Sequence, residues 1–364
     1  MLYINGKFTS QKITGVQRFA RSLVCALDAF LFSICDKNHV PKVILLCPIG
    51  ASPPKLKYIN VEYSGSLISG HLWEQLVLPF ASRRGILINF SGSAPIFKMG
   101  QICAIHDAAI YDHPTAYTKL FRLWYSVLFR ILGKTSKLIL TVSEFSKCRL
   151  QKFINVSEED ISVLYNGSGH ITGVISDVNV LQKFGINAKE YIFAVGSLNP
   201  TKNLSNLLTA FKEISEKLNV TLVVAGGCNT SVFQSNFDSS SPFERVKFIG
   251  YIPDEELKAL YENALAFVFP STYEGFGIPP LEAMECGCPV IASNLASIPE
   301  VCGDAAYYFD PLDIASITEA IEEIIANSKL REKLVIKGFE RVAFFDWNHT
   351  AKKLFNDLKK IGVL

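Results

Sequence analysis

No stretch of 18 consecutive apolar residues occurs in this sequence, and no cationic segment precedes an apolar run at its amino end. Neither a membrane span nor a signal peptide is therefore expected, and the chain should stay in the cytoplasm. No C-x-x-C pair occurs among the nine cysteines, and Cys286-Gly-Cys288 lacks the further Cys and His that a zinc site needs. No metal is expected, and the thiols read as small buried hydrophobes of a reducing compartment. A short internal repeat is missing too. Charged residues make up only 19% against 49% hydrophobic, which excludes a disordered chain. At 364 residues, two cores are expected rather than one.

The net charge of +2 conceals an asymmetry: residues 1–180 hold 19 Lys and Arg against 11 Asp and Glu, while residues 181–364 hold 17 against 23. The halves thus carry +8 and −6. A basic half points to an anionic partner such as a phospholipid surface, with two ordinary solvated faces as the alternative.

Apolar runs of strand length alternate with longer amphipathic segments, twice over, which is an α/β pattern. Strands are expected at 2–5, 42–48, 86–91, 102–106, 138–142 and 161–166, then at 191–196, 221–225, 246–249, 266–270, 289–292 and 306–309. Helices are expected at 16–31, 72–83, 115–132 and 144–154, then at 204–218, 254–263, 280–285, 314–327 and 330–344. The aperiodic, Gly- and Ser-containing stretch 168–180 reads as a linker. Residues 345–361 form an amphipathic helix with Trp347, Ala351, Leu354, Phe355 and Leu358 on one side, which must be buried somewhere. Two Rossmann-like domains follow, 1–175 (joined by 345–364) and 176–344, whose strand ends would face each other across a ligand cleft.

The densest signal is Phe269-Pro-Ser-Thr-Tyr-Glu-Gly-Phe-Gly-Ile-Pro-Pro-Leu-Glu282, an apolar strand emptying into a glycine-rich loop and a helix begun by proline. Gly275 and Gly277 let backbone approach a ligand, and the helix start suits a phosphate. Glu274 and Glu282 are acceptors for sugar or ribose hydroxyls. A tight turn with a helix-start carboxylate is the purely structural alternative.

Glu274 and Glu282, eight apart within Glu-Gly-Phe-Gly-Ile-Pro-Pro-Leu-Glu-Ala-Met-Glu-Cys-Gly-Cys-Pro-Val-Ile-Ala-Ser, resemble the E-x7-E signature of family 4 glycosyltransferases, retaining enzymes of the GT-B fold. The resemblance implies that Glu274 contacts the donor sugar and Glu282 the nucleotide ribose. It places the amides of Gly275, Phe276 and Gly277, with Ile278 following, near sugar hydroxyls and the diphosphate. Ala194-Val-Gly-Ser-Leu-Asn-Pro-Thr-Lys-Asn-Leu204 resembles the family's glycine turn and phosphate loop, so Gly196 and Ser197 approach the donor and Lys202 pairs with its diphosphate, where charge develops as the nucleotide leaves. Thr201 departs from the pattern, because many relatives carry Arg there. Gly250-Tyr251-Ile252-Pro253 resembles the base-binding turn. Thr14-Gly15-Val-Gln-Arg18 resembles the first loop over the phosphates. His106-Asp107, with Tyr111-Asp-His-Pro114, resembles the H-D segment, whose histidine lies against donor sugar or acceptor. Asp107 either orients that ring or positions the acceptor.

Between 115 and 137 stand five basic residues and no acid, interleaved with Tyr117, Phe121, Trp124, Tyr125 and Phe129. Such helices lie in lipid headgroups, with a core helix wet at its basic ends as the alternative; nucleic acid is disfavoured beside the donor motifs. The resemblance as a whole implies metal-free, cofactor-free transfer of a hexose, from GDP-mannose for preference, to a glycan or polyprenyl-diphosphate-linked acceptor in bacterial surface polysaccharide synthesis. The competing expectations are a non-catalytic sugar-nucleotide-binding partner of another transferase and a sugar-nucleotide epimerase of the same architecture.

Overall fold

The computed structural model describes residues 1–35, 40–65, 68–197, 199–215, 217, 219–227 and 245–364. It divides into two compact units, Met1–Gly167 with Phe345–Leu364, and Ser168–Phe344.

In the first unit, runs such as Leu2-Tyr-Ile-Asn5 and Val43-Ile-Leu-Leu-Cys-Pro48 are buried along their whole length, as parallel strands covered on both faces must be. Among the described residues its sheet has seven strands: β1 (Leu2–Asn5), β2 (Val43–Pro48), β3 (Asn60–Ser64), β4 (Ile86–Asn89), β5 (Ile102–Ala104), β6 (Leu138–Thr141) and β7 (Ile161–Val163). Their order is β3-β2-β1-β4-β5-β6-β7, every pair parallel, with Leu2 in register with both Val43 and Ile86. The C-terminal helix Trp347–Lys360 belongs to this unit: Phe355 meets Phe30 of the Gly15–Ile34 helix at 5.2 Å and Trp347 meets Phe19 at 5.7 Å. Ala351, Leu354, Phe355 and Leu358 are all buried there, which is where the expected apolar side goes.

The second unit has six strands among the described residues: β8 (Tyr191–Val195), β9 (Thr221–Ala225), β10 (Val246–Gly250), β11 (Ala266–Phe269), β12 (Val290–Ser293) and β13 (Ala306–Phe309). Their order is β10-β9-β8-β11-β12-β13, again all parallel. One face of this sheet is packed by Leu207, Leu208, Phe211, Ile317, Ile321 and Ile324, each worth about 1.5–3 kcal/mol on full burial.

Three expectations are corrected. Residues 168–175 go with the second unit, because Lys258 Nζ donates to the carbonyls of Thr172 (3.1 Å) and Val174 (2.8 Å). The helix expected over 72–83 is two, Gly70–Leu76 and Leu78–Ala81, with Pro79 in the first turn of the second, where a missing N–H costs nothing. Not every thiol is interior: Cys47, Cys103, Cys288 and Cys302 are buried, whereas Cys25 and Cys148 are exposed. Cys228 and Leu218, the expected end of the 204–218 helix, lie outside the described residues; that helix runs Leu204–Ser215.

Candidate active site

In the second sheet the strand order reverses between β8 and β11, so loops leaving their carboxyl ends diverge and open a crevice there. Both motif loops leave at this point. After β8, Pro200-Thr-Lys202 makes one 3-10 turn, capped by Asn199, whose Oδ1 accepts from the Thr201 amide and from Thr201 Oγ1, both at 3.0 Å. Asn203 ends the turn in the left-handed region (φ 52°), and its Nδ2 donates to Pro311 O (2.7 Å) and Pro270 O (3.2 Å). The Asn199-Pro-Thr-Lys-Asn203 sequence thus holds Lys202 in place from both sides. Thr201, standing where many relatives carry Arg, is buried and spends its hydroxyl on the cap.

The loop after β11 is tied to that turn, since the Thr272 amide donates to Thr201 O at 2.8 Å. Ser297, fully buried, directs its hydroxyl at the carbonyls of Glu274 (2.9 Å) and Phe276 (2.8 Å), pinning Glu274-Gly275-Phe276. Gly277 follows at φ +106°, ψ 66°, a conformation closed to side-chain-bearing residues, and caps the Ile278–Glu285 helix. The result is that Lys202 Nζ lies 2.6 Å from Glu274 Oε1 across 72 residues of sequence, a charge-assisted pair with both partners partly accessible.

Glu282, one turn into that helix, is nearly buried. Tyr261 Oη donates to its Oε2 at 3.0 Å, and His170 Nε2 stands 2.7 Å from its Oε1, an ion pair when the imidazole is protonated. Burial, then the Glu282 carboxylate, raise the Tyr261 hydroxyl far above its ordinary range, so it remains a donor. At the carboxyl ends of β8, β9 and β10 the backbones crowd together: Gly226 N donates to Gly250 O (2.7 Å), and a Cβ at Gly226 (φ +124°) would lie 1.9 Å from Gly196 O. Ser197 is partly buried beside Gly196; in the neighbouring turn Tyr251 is exposed and Ile252 buried.

Of the expected residues, the second unit gathers Gly196, Lys202, Glu274, Gly275, Phe276, Gly277, Ile278 and Glu282 around one strand junction. Gly15, His106 and Asp107 lie in the first unit. His106 follows the short strand β5, its Nε2 donating to Phe90 O at 2.9 Å and its ring edge-on to Phe19 at 4.8 Å. Burial lowers its pKa, so the neutral ring carries its proton on Nε2 and leaves Nδ1 as acceptor. Asp107 Oδ1 accepts the Ala109 amide at 2.8 Å at the start of the Ala109–Asp112 helix. A Cβ on Gly15 would meet nothing within 4 Å, so packing does not demand glycine there.

His170, Tyr261, Ser297 and Gly226 were not singled out from the sequence. Only Gly226-Gly227, directly after an apolar strand, carried a legible signal. Among the described residues no group of three or more His, Cys, Asp or Glu is placed to hold a metal ion.

Residues 179–341 match the family described as Glycosyl transferases group 1. The chain is 32% identical over 266 residues to an O-antigen chain mannosyltransferase B of Escherichia coli, a match spanning 71% of this chain and 70% of that one. It is 32% identical over 224 residues to the O-antigen chain mannosyltransferase RfbU of Salmonella typhimurium, spanning 62% of this chain and 60% of that one. In fold it matches a sucrose-phosphate synthase from Thermosynechococcus elongatus, with a TM-score of 0.76 at 17% identity, over 99% of this chain and 98% of that chain.

Proposed function

The chain belongs to the Glycosyl transferases group 1 family and is a glycosyltransferase of GT-B fold; from that premise we propose that it moves mannose, with retention, from GDP-mannose to a polyprenyl-diphosphate-linked saccharide of bacterial surface polysaccharide. The observation that carries the reading is the Lys202–Glu274 pair at 2.6 Å, built by the loops of β8 and β11 at the strand-order reversal. The mannosyl donor and the O-antigen setting rest on the relatives at 32% identity.

The donor binds on the second unit. Lys202 exchanges Glu274 for the diphosphate and stabilises the charge that develops on the leaving phosphate. Glu274, released, accepts from sugar hydroxyls, and the amides of Gly275, Phe276 and Gly277 line the same loop. Glu282 takes the ribose hydroxyls, Gly196 and Ser197 border the phosphates, and the Tyr251-Ile252 turn meets the base. On the first unit, Gly15 leaves room for the phosphates, His106 touches the sugar or its acceptor, and Asp107 lies on the acceptor side. The bond from the anomeric carbon to the β-phosphate oxygen breaks while the acceptor hydroxyl attacks the same face, its proton passing to the departing phosphate. No metal enters these steps.

The reaction takes place at the cytoplasmic face of the inner membrane. The Lys119–Thr135 helix supports this, with Leu120, Leu123, Trp124 and Val127 exposed among Lys119, Arg122, Arg130 and Lys134. Among the described residues no helix is long and apolar enough to cross a membrane. The test is a panel of nucleotide sugars, scored first by thermal stabilisation and then by transfer. GDP-mannose should stabilise most, by about 2.7 kcal/mol at a hundredfold excess over its Kd; stabilisation by a UDP-sugar alone overturns the assignment.

A further inference from the structure

The first unit has a strand-order reversal of its own, between β1 and β4, and a second Lys–Glu pair is built there. Lys7, directly after β1, and Glu74, from the Gly70–Leu76 helix, are 2.7 Å apart with side chains 2% and 0% exposed. Burying both charges is costly and is tolerated only with every remaining lone pair satisfied. Asn5 Nδ2 (2.9 Å) and Ser93 Oγ (3.0 Å) donate to Glu74 Oε1, and Asn5 in turn donates to Asn89 Oδ1 (3.0 Å). Burial alone would raise the Glu74 carboxyl, but bonds from His71, Lys7 and Asn5 bring it below its ordinary range, so it stays charged.

One group reaches this buried carboxylate from outside. His71, half-exposed, places Nδ1 3.4 Å from Glu74 Oε2. A ring nitrogen facing a carboxylate oxygen carries its hydrogen, so Nδ1 donates to Glu74 and Nε2 is the ring's second polar atom. The same short helix turns Trp73 and Gln75 inward as anchors: Trp73 Nε1 donates to Ser64 O (2.7 Å), and Gln75 bonds Ala94 O (3.0 Å) and the Ile96 amide (3.0 Å). His71 thus stands on an anchored helix. Beside it, edge-on at 6.4 Å, lies Tyr125. Tyr125 continues a row of rings that starts just before the Lys119–Thr135 helix, Tyr117 to Phe121 at 5.4 Å and 7°, and Phe121 to Tyr125 at 4.4 Å and 34°.

The cluster also adjoins the residue assigned to the reaction. The chain leaving β4 gives Phe90 O to His106 Nε2 and, three residues later, Ser93 Oγ to Glu74, so His106 and Glu74, the carboxylate that His71 contacts, both bond to one four-residue segment. We propose that His71 and the aromatic row Tyr117, Phe121 and Tyr125 form a saccharide subsite that grips the acceptor away from its reacting hydroxyl. Apolar sugar faces stack on the rings while a hydroxyl donates to His71 Nε2, which the Glu74–Lys7 pair beneath keeps aimed. The membrane-directed side chains Leu120, Leu123 and Trp124 are different residues of the same helix, so lipid contact and saccharide contact do not compete for side chains. The subsite rests on the glycosyl-transfer reading.

The test uses the full chain and α-linked mannotriose as the probe, with saturation-transfer NMR and titration, and GDP binding measured in parallel. Wild type should show transfer to the mannotriose ring protons. His71→Ala and Phe121→Ala should each bind mannotriose about tenfold more weakly, the loss of roughly one hydrogen bond or one stacking face. His71→Gln, whose amide oxygen also accepts, should recover part of the loss, and GDP affinity should not change in any variant. Absence of mannotriose binding by wild type, or wild-type affinity for mannotriose in either alanine variant, overturns the subsite. Failure of GDP to bind wild type strikes the donor reading instead and leaves the mannotriose arm to be read alone.

Discussion

Replacing Lys202 by Met keeps the stem of the side chain and removes its charge. In the folded chain that charge lies 2.6 Å from Glu274 in a pair with partial solvent access, so its loss should cost the fold only about 0–1 kcal/mol. The capping bonds that hold the turn belong to Asn199, Thr201 and Asn203 and survive the change. Turnover should suffer far more, because in the proposed reaction Lys202 is the cation facing the leaving diphosphate and Thr201 adds none. Removing one such electrostatic contact costs about 2.7–4 kcal/mol, or 10²–10³ in kcat. Glu274 then faces the diphosphate with its charge uncompensated, so Lys202→Met should weaken GDP binding more than the double variant Lys202→Met/Glu274→Gln does. Contacting residues of this kind couple by about 0.5–3 kcal/mol. Calorimetric GDP titration, release of GDP from GDP-mannose and urea midpoints measure the three quantities. Turnover within a few-fold of wild type, or independent effects of the two substitutions on GDP affinity, would rule out this role for Lys202.

Gly226→Ala should destabilise the second unit by about 3 kcal/mol or more, seen as a lowered urea midpoint, since its Cβ would lie 1.9 Å from Gly196 O at a φ of +124°. Ser297→Ala removes the hydroxyl that holds Glu274 and Phe276, and should cost about 1 kcal/mol of stability while lowering kcat more than Gly226-distant surface changes do. Burial lowers the His106 pKa, so above about 6.5 both folded and unfolded rings are neutral and nothing is lost. As pH falls below that value the unfolded chain takes up the proton first, and stability drops until the depressed folded pKa is reached. His106→Gln should flatten this acid-side slope in denaturation midpoints recorded between pH 8 and 5; an unchanged slope contradicts a buried neutral ring.

The interior strands were legible because a parallel strand covered on both faces must be apolar throughout: β1, β2, β6, β8, β9 and β11 fall within a residue or two of the expected limits. β3 was missed for the converse reason. Asn60-Val-Glu-Tyr-Ser64 is an edge strand with mostly exposed or half-exposed side chains, so nothing in its composition sets it apart from a loop. Asn179 and Val180, read as the end of a linker, open a helix, Asn179–Phe184, capped by Gly185 in the left-handed region. The glycine loop and its two carboxylates stood out because backbone approach and charge leave a compact sequence pattern. The groups that hold them in place did not. His170 and Tyr261 reach the Glu282 carboxylate, and Ser297 the Glu274 backbone carbonyl, across 21 to 112 residues of chain, and each alone looks like an ordinary linker, core or turn residue. Lys7 was invisible for a stronger reason, since a charged residue is buried only when a distant partner, here Glu74, awaits it.

The proposal that the loops of β8 and β11 hold an activated mannose between Lys202 and Glu274 is tested by transfer of label from GDP-[14C]mannose to a polyprenyl-diphosphate-linked saccharide by purified wild type and Glu274→Ala. Labelled lipid-linked product is expected with wild type and a loss of about a hundredfold or more with the variant, both chains unfolding at similar urea concentrations. Equal transfer by the two proteins, or none by either alongside transfer from a UDP-sugar, would contradict it.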